Sequence, residues 1–185
     1  MQVGLVERAR SGDHDAFSFL VRASAPRLLG AATLILRDQD RAQDAVQEAM
    51  VQAWRNVRAL RELEAWDAWL YRLTVNACYR AAKTSKRRSV VELHVTLDRE
   101  PVDDDPAKTV ADRDLMSRAL GRLPVDQRAV MVLHFYLDLS LTDAADVLGI
   151  PVGTAKSRLH RGLETLRVAL GGEPGVRLVA QERPE

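Results

Sequence analysis

The sequence predicts an all-α protein: two small helical domains joined by an acidic linker. Three observations carry this reading. Apolar residues recur at i, i+3, i+4, i+7 spacing over long stretches, the signature of helices with one buried face. No stretch alternates with period two between turn signals, as a half-buried strand would. Charge is also partitioned, with net +5 over residues 1–89, −5 over 90–112 and +1 over 113–185, under a total of only +1. Such asymmetry points to separate modules and to a basic surface on at least one of them. With 185 residues, 46% of them hydrophobic and 29% charged, the chain can bury a core, and global disorder is excluded. The single cysteine, Cys78, rules out a disulfide framework or a multi-cysteine zinc site. The four histidines show no ligand spacing, so no metal or cofactor is expected. No window approaches about 18 unbroken apolar residues, and the charged start MQVGLVERARSGD lacks the apolar stretch of a signal peptide. A cytoplasmic protein without membrane insertion is therefore expected.

Along the first module, 1–89, residues His14 to Arg37 read as helix, with Pro26 expected to kink or divide it. From Asp40 to Val57 the set Ala42, Ala45, Val46, Ala49, Met50, Ala53, Trp54 and Val57 holds helical spacing without a miss. Trp66, Trp69, Leu70, Leu73 and Ala77 repeat the pattern in the next segment. Residues 90–112 differ in kind: Pro101, Pro106 and the run Asp103-Asp104-Asp105 interrupt any periodicity and read as a linker. Opposite charges on module and linker predict a compact free state that is weak and salt-sensitive, because exposed charges beyond about 10 Å are screened.

The second module, 113–170, has clear local grammar. Pro124 suits a helix start, and Val125–Leu137 is rich in core residues. Ser140 and Asp143 match a capping box, predicting a helix Leu141–Leu148 stopped by Gly149. After the turn Ile150-Pro151-Val152-Gly153, a longer helix is predicted from about Thr154 to Leu170, with Ala155, Leu159, Leu163, Leu166 and Leu170 inward. A short helix, a glycine turn and a second, basic helix form a helix-turn-helix. The tail 171–185 is too short for a domain and reads as a flexible end.

The helix from Thr154 offers Lys156, Ser157, His160 and Arg161 on one outward face, suited to base edges in a major groove. Arg158 and Thr154 flank it, where phosphate contact is expected. The plain competing reading is a solvated basic face. On the helix after Asp40, Asp44, Gln47 and Glu48 lie opposite the apolar stripe. They suit docking to a basic protein surface, although from local evidence alone solvated polar positions are the stronger reading. Between Trp66 and Arg88, aromatic residues accompany a growing basic face of Arg72, Arg80, Lys83, Lys86, Arg87 and Arg88, a combination that suits single-stranded nucleic acid. Trp66 and Trp69 belong to the apolar stripe. Asn76 and Tyr79 lie off it and are the candidates for base contact.

Three segments in this order, DRAQDAVQEAMVQAWRNV, WDAWLYRLTVNACYR and LSLTDAADVLGIPVGTAKSRLHRGLETLR, resemble the bacterial sigma factors of the extracytoplasmic-function type. The resemblance runs from Asp15 to Leu170. It implies that the first module is a region 2 helical bundle binding core RNA polymerase through Asp44, Gln47 and Glu48. It implies that Leu60–Ala65 and Trp69–Lys83, with Arg61, Asn76, Tyr79, Arg80 and Lys83, recognise and melt the minus-ten element of promoter DNA. It further implies that the second module is region 4, reading the minus-thirty-five element, and that an anti-sigma factor restrains the protein. The alternative is a stand-alone helix-turn-helix regulator whose first module dimerises or binds an effector. An enzyme finds no support, because no phosphate-binding loop, metal cluster or nucleophile–base pair is legible.

Overall fold

A computed structural model describes the backbone of residues 2–91 and 118–170, and the side chains of 2–84 and 118–170. Every regular element among the described residues is helical. The acidic run Asp103–Asp105 and the tail 171–185 lie outside the described residues.

Helix α1, Gln2–Arg10, precedes the predicted elements and buries Val6 and Ala9. Helix α2, His14–Leu36, starts where the Asp13 carboxylate accepts the Ala16 N–H at 3.0 Å. The helix runs unbroken through Pro26, so the expected division does not occur. It ends at Arg37 in the left-handed conformation, whose N–H donates to the Thr33 carbonyl. In length and composition α2 would also suffice to cross a membrane, with a mean hydropathy of 1.4 over its best window. Arg22 and Arg27 interrupt the apolar residues of α2, so the helix holds no unbroken apolar run of that length. Here α2 is the central core helix, packed by α1, α3 and α4 and burying Ala16, Leu20, Leu28, Ala31, Ala32 and Ile35.

Helix α3, Gln39–Asn56, is capped by Asp38, which accepts the Arg41 N–H. It buries Ala42, Ala45, Val46, Ala49 and Ala53, as its spacing predicts. These small side chains let α3 lie close against α2 and α4. Two short 3₁₀ turns, Val57–Ala59 and Leu63–Ala65, then lead into α4, Trp66–Val91. Helix α4 thus runs two residues into the span expected to be linker. Trp66 is fully buried, edge-on to Phe17 and tilted against Trp69. Cys78 is buried too, and burial pushes its thiol up to about 12, so it is an inert core residue.

In the second module, residues 118–121 are helical. Helix α5, Val125–Met131, follows Pro124 and widens into a π turn, Val132–Tyr136. The widened turn buries Val132 and Leu133 while Phe135 and Tyr136 stay exposed. Helix α6, Leu141–Leu148, has the predicted boundaries. Ser140 accepts the Asp143 N–H and donates to its carboxylate, and Gly149 closes the helix at φ 65°, a backbone region that favours glycine. Helix α7, Val152–Ala169, begins two residues earlier than expected. It buries Ala155, Leu159 and Leu166, whereas Leu163 is half-buried and Leu170, expected inward, is exposed.

Candidate nucleic-acid interface

The turn between α6 and α7 fixes the outward face of α7. Ala145, Ala155 and Leu159 pack with Val130 and Met131 in a small core of the second module, and this turns Lys156, His160 and Arg161 to solvent. Ser157 is half-buried. Its hydroxyl donates to the Thr154 carbonyl at 3.0 Å and accepts from the Arg161 guanidinium at 3.3 Å. Lys156, Ser157, His160 and Arg161 thus share one surface, as their spacing predicts. Arg158 is placed differently. It is half-buried and pairs with Asp126 of α5 at 3.1 Å, so it braces α7 against α5.

On α3, Asp44, Gln47 and Glu48 are all exposed, on the side opposite the buried alanines. Glu48 has two local partners: Gln52 one turn on, and the Arg80 guanidinium at 2.9 Å. A predicted docking residue therefore touches a predicted melting residue, a contact that no sequence spacing announces.

The candidates on α4 divide into two groups. Asn76, Arg80 and Lys83 are exposed, and Arg61 is exposed in the loop before the helix. Tyr79 is half-buried against the core cluster, and its hydroxyl has no hydrogen-bond partner. Burial raises its pKa to about 12; the Arg158 charge opposes that rise and Asp126 adds to it. Tyr79 therefore faces the second module, and strand contact requires that it be uncovered. Arg27 carries no reading from the sequence, and Arg72 enters there only as part of the basic face of the Trp66–Arg88 segment. Each donates at 2.7 Å to a main-chain carbonyl of the second module, Arg27 to Leu137 and Arg72 to Asp146. Any residue offers such an acceptor, so only their off-stripe positions could have hinted at the contacts. Among the described residues, no group of three His, Cys, Asp or Glu side chains could hold a metal ion.

Comparison with known proteins gives two family matches in chain order. The Sigma-70 region 2 model matches residues 20–88, and the Sigma-70, region 4 model matches residues 113–166. The ECF RNA polymerase sigma factor SigM of Mycobacterium tuberculosis is 37% identical over 161 residues, covering 87% of this chain and 80% of that protein. The RNA polymerase sigma-H factor of Pseudomonas aeruginosa is 32% identical over 179 residues, covering 90% of this chain and 92% of that protein. Among solved structures, the sigma factor RpoE of Bartonella quintana, in complex with the anti-sigma factor NepR, superposes with a TM-score of 0.69. That pair is 27% identical, covering 84% of this chain and 96% of the other.

Proposed function

The chain belongs to the extracytoplasmic-function sigma factors of RNA polymerase, and from that premise we propose how its surfaces divide the work of starting transcription. A sigma factor binds core polymerase and promoter DNA and acts as an initiation factor. In the proposed division, residues 1–89 dock the polymerase and open the minus-ten element, 90–112 link the modules, and 113–170 read the minus-thirty-five element. The tail 171–185 lies beyond both. The bond-making chemistry belongs to the polymerase, and this chain contributes recognition without catalysis of its own. Its place of action is the cytoplasm, with the polymerase.

The observation that carries this division is the pairing of two outward faces on rigid helices: carboxylates on α3 and cations on α7. Asp44, Gln47 and Glu48 steer and register a basic polymerase surface, where complementary charge sets encounter and orientation. Lys156 and Arg161 reach guanine acceptors in the major groove, with Ser157 and His160 beside them. Thr154 lies at the phosphate edge, as does Arg158 once it leaves Asp126. On the melted strand, Asn76 contacts a base, Arg61, Arg80 and Lys83 follow phosphates, and Tyr79 stacks after it is uncovered. The Bartonella relative was solved with an anti-sigma factor, and we extend that kind of restraint to this chain.

The test is run-off transcription from a genomic library with core polymerase, comparing wild type with an Asp44→Lys/Glu48→Lys chain. Wild type is expected to direct discrete start sites. The double reversal is expected to lose core binding while keeping its helical circular dichroism. Tight, specific duplex binding by the chain alone, with no polymerase-dependent starts, would overturn the proposal in favour of a stand-alone regulator.

A further inference from the structure

The reading face of α7 carries a chain of hydrogen bonds centred on Ser157. Its hydroxyl donates to the Thr154 carbonyl at 3.0 Å, one turn back. The same oxygen accepts from the Arg161 guanidinium at 3.3 Å, one turn on. Residues three and four apart are neighbours on a helix surface, so Thr154, Ser157 and Arg161 form one continuous row. A serine hydroxyl has one proton and two lone pairs. Here the proton goes to the Thr154 carbonyl and one lone pair to Arg161. Ser157 therefore has no donor left for the N7 or O6 acceptors that purines show in the major groove. It is also half-buried, while Lys156, His160 and Arg161 around it are exposed. Hydrogen-bond inventory and reach both argue against Ser157 as a direct reader.

Arg161 keeps what base reading needs. A guanidinium carries five N–H donors in a fixed fork, and one bond from Nη2 to Ser157 leaves enough for a bidentate contact with guanine. Because the fork is planar and rigid, holding one nitrogen aims the others. Arginine is among the side chains with the most rotamer freedom to lose, and a bond made before the encounter reduces what must be ordered on binding. The row lies wholly within α7, so it needs no other part of the chain to form. We propose that Ser157 is a positioning residue for the minus-thirty-five element: it aims Arg161 at one base pair and touches no base itself. The proposal rests on the sigma-factor reading. It gives Ser157 and Arg161 one shared target in the promoter instead of two.

The test compares wild type, Ser157→Ala, Ser157→Thr, Arg161→Ala and the Ser157→Ala/Arg161→Ala chain. Each is assembled with core polymerase and bound to minus-thirty-five elements substituted at every position. Alanine is a better helix former than serine, so a preference lost in Ser157→Ala cannot come from a weaker helix. Ser157→Ala is expected to relax preference about two- to tenfold, the size of one hydrogen bond, at the same base pair that Arg161→Ala relaxes. The double variant should lose no more at that pair than Arg161→Ala alone, because the two side chains act as a unit. Ser157→Thr should restore the preference, since a helical threonine keeps a hydroxyl on the carbonyl three or four residues back. Nuclear magnetic resonance of the free full-length chain adds a readout without DNA: the Arg161 Nε–H should be ordered in wild type and mobile in Ser157→Ala. A Ser157→Ala effect at a different base pair, additive losses in the double variant, or no change of preference in Ser157→Ala would overturn the proposal. So would an Arg161 Nε–H as mobile in wild type as in Ser157→Ala. A wild-type holoenzyme without preference at any minus-thirty-five position defeats the functional reading instead, while the resonance still decides whether Ser157 holds Arg161.

Discussion

Helices α4 and α7 are both candidates for reading DNA, yet the fold treats them differently. Helix α7 stands on a scaffold complete within the second module, and its reading face is open: Lys156, His160 and Arg161 are all exposed. Helix α4 serves three neighbours at once. Its inner face carries the first module's core through Trp66 and Leu70, one flank meets α6 through Arg72, and Arg80 reaches back to Glu48 of α3. A helix supported locally can present a fixed surface at all times. A helix shared between modules can be covered or uncovered by their movement, and so can carry a regulated step.

If α4 is the structural hub, the largest effect comes from its buried tryptophan. Trp66→Ala removes a side chain that is 1% exposed and packed edge-on to Phe17 and tilted against Trp69, and is expected to cost about 3–5 kcal/mol. Thermal unfolding followed at 222 nm checks this. A loss below about 1 kcal/mol would remove α4 from the centre of the fold.

On the DNA side, the two helices should fail differently. Arg161→Ala is expected to relax preference at one duplex position by about 1–3 kcal/mol, read from binding of holoenzyme to base-substituted sites. Uniform weakening on every sequence would mark Arg161 as a phosphate contact instead. Asn76→Ala is expected to slow open-complex formation on duplex promoters about tenfold, which is about 1.4 kcal/mol, and to leave a pre-melted bubble template nearly unaffected. Equal losses on both templates would point to a packing defect and erase the distinction between the helices.

The smallest effects lie at the helix caps, where the modules differ again. Ser140→Ala removes the hydroxyl that caps α6 and is expected to cost about 1 kcal/mol, read from the thermal midpoint. Asp13 caps α2 as a carboxylate. The Ala16 N–H and the Arg8 guanidinium hold its pKa below the ordinary aspartate value. A depressed carboxylate stabilises the fold above its unfolded-state pKa and loses that contribution as pH falls through the folded value. Asp13→Asn keeps a competent cap and should flatten the fall in melting temperature as pH drops below the ordinary aspartate range, relative to wild type. An unchanged slope would mean that other carboxylates carry the acid dependence.

The sequence by itself determined the helical class, the boundaries of α6, the inward alanines and outward carboxylates of α3, and the open face of α7. Each of these depends on residues within a few positions of one another: Ser140 finds Asp143 in the next turn, Gly149 bends its own backbone, and periodicity sorts the faces of a single helix. Only the tertiary structure decided that Tyr79 is covered, that Arg158 braces on Asp126, and that Arg80 answers Glu48 across 32 positions. The same holds for Arg27, which donates to Leu137 across 110 positions. The acceptor there is a main-chain carbonyl, which every residue carries, so the pairing leaves no mark in the side-chain pattern. Packing of Tyr136 into Gly30 is equally silent, because a glycine inside a helix declares only that space is needed, and which neighbour fills it depends on how two separately stable helical surfaces meet.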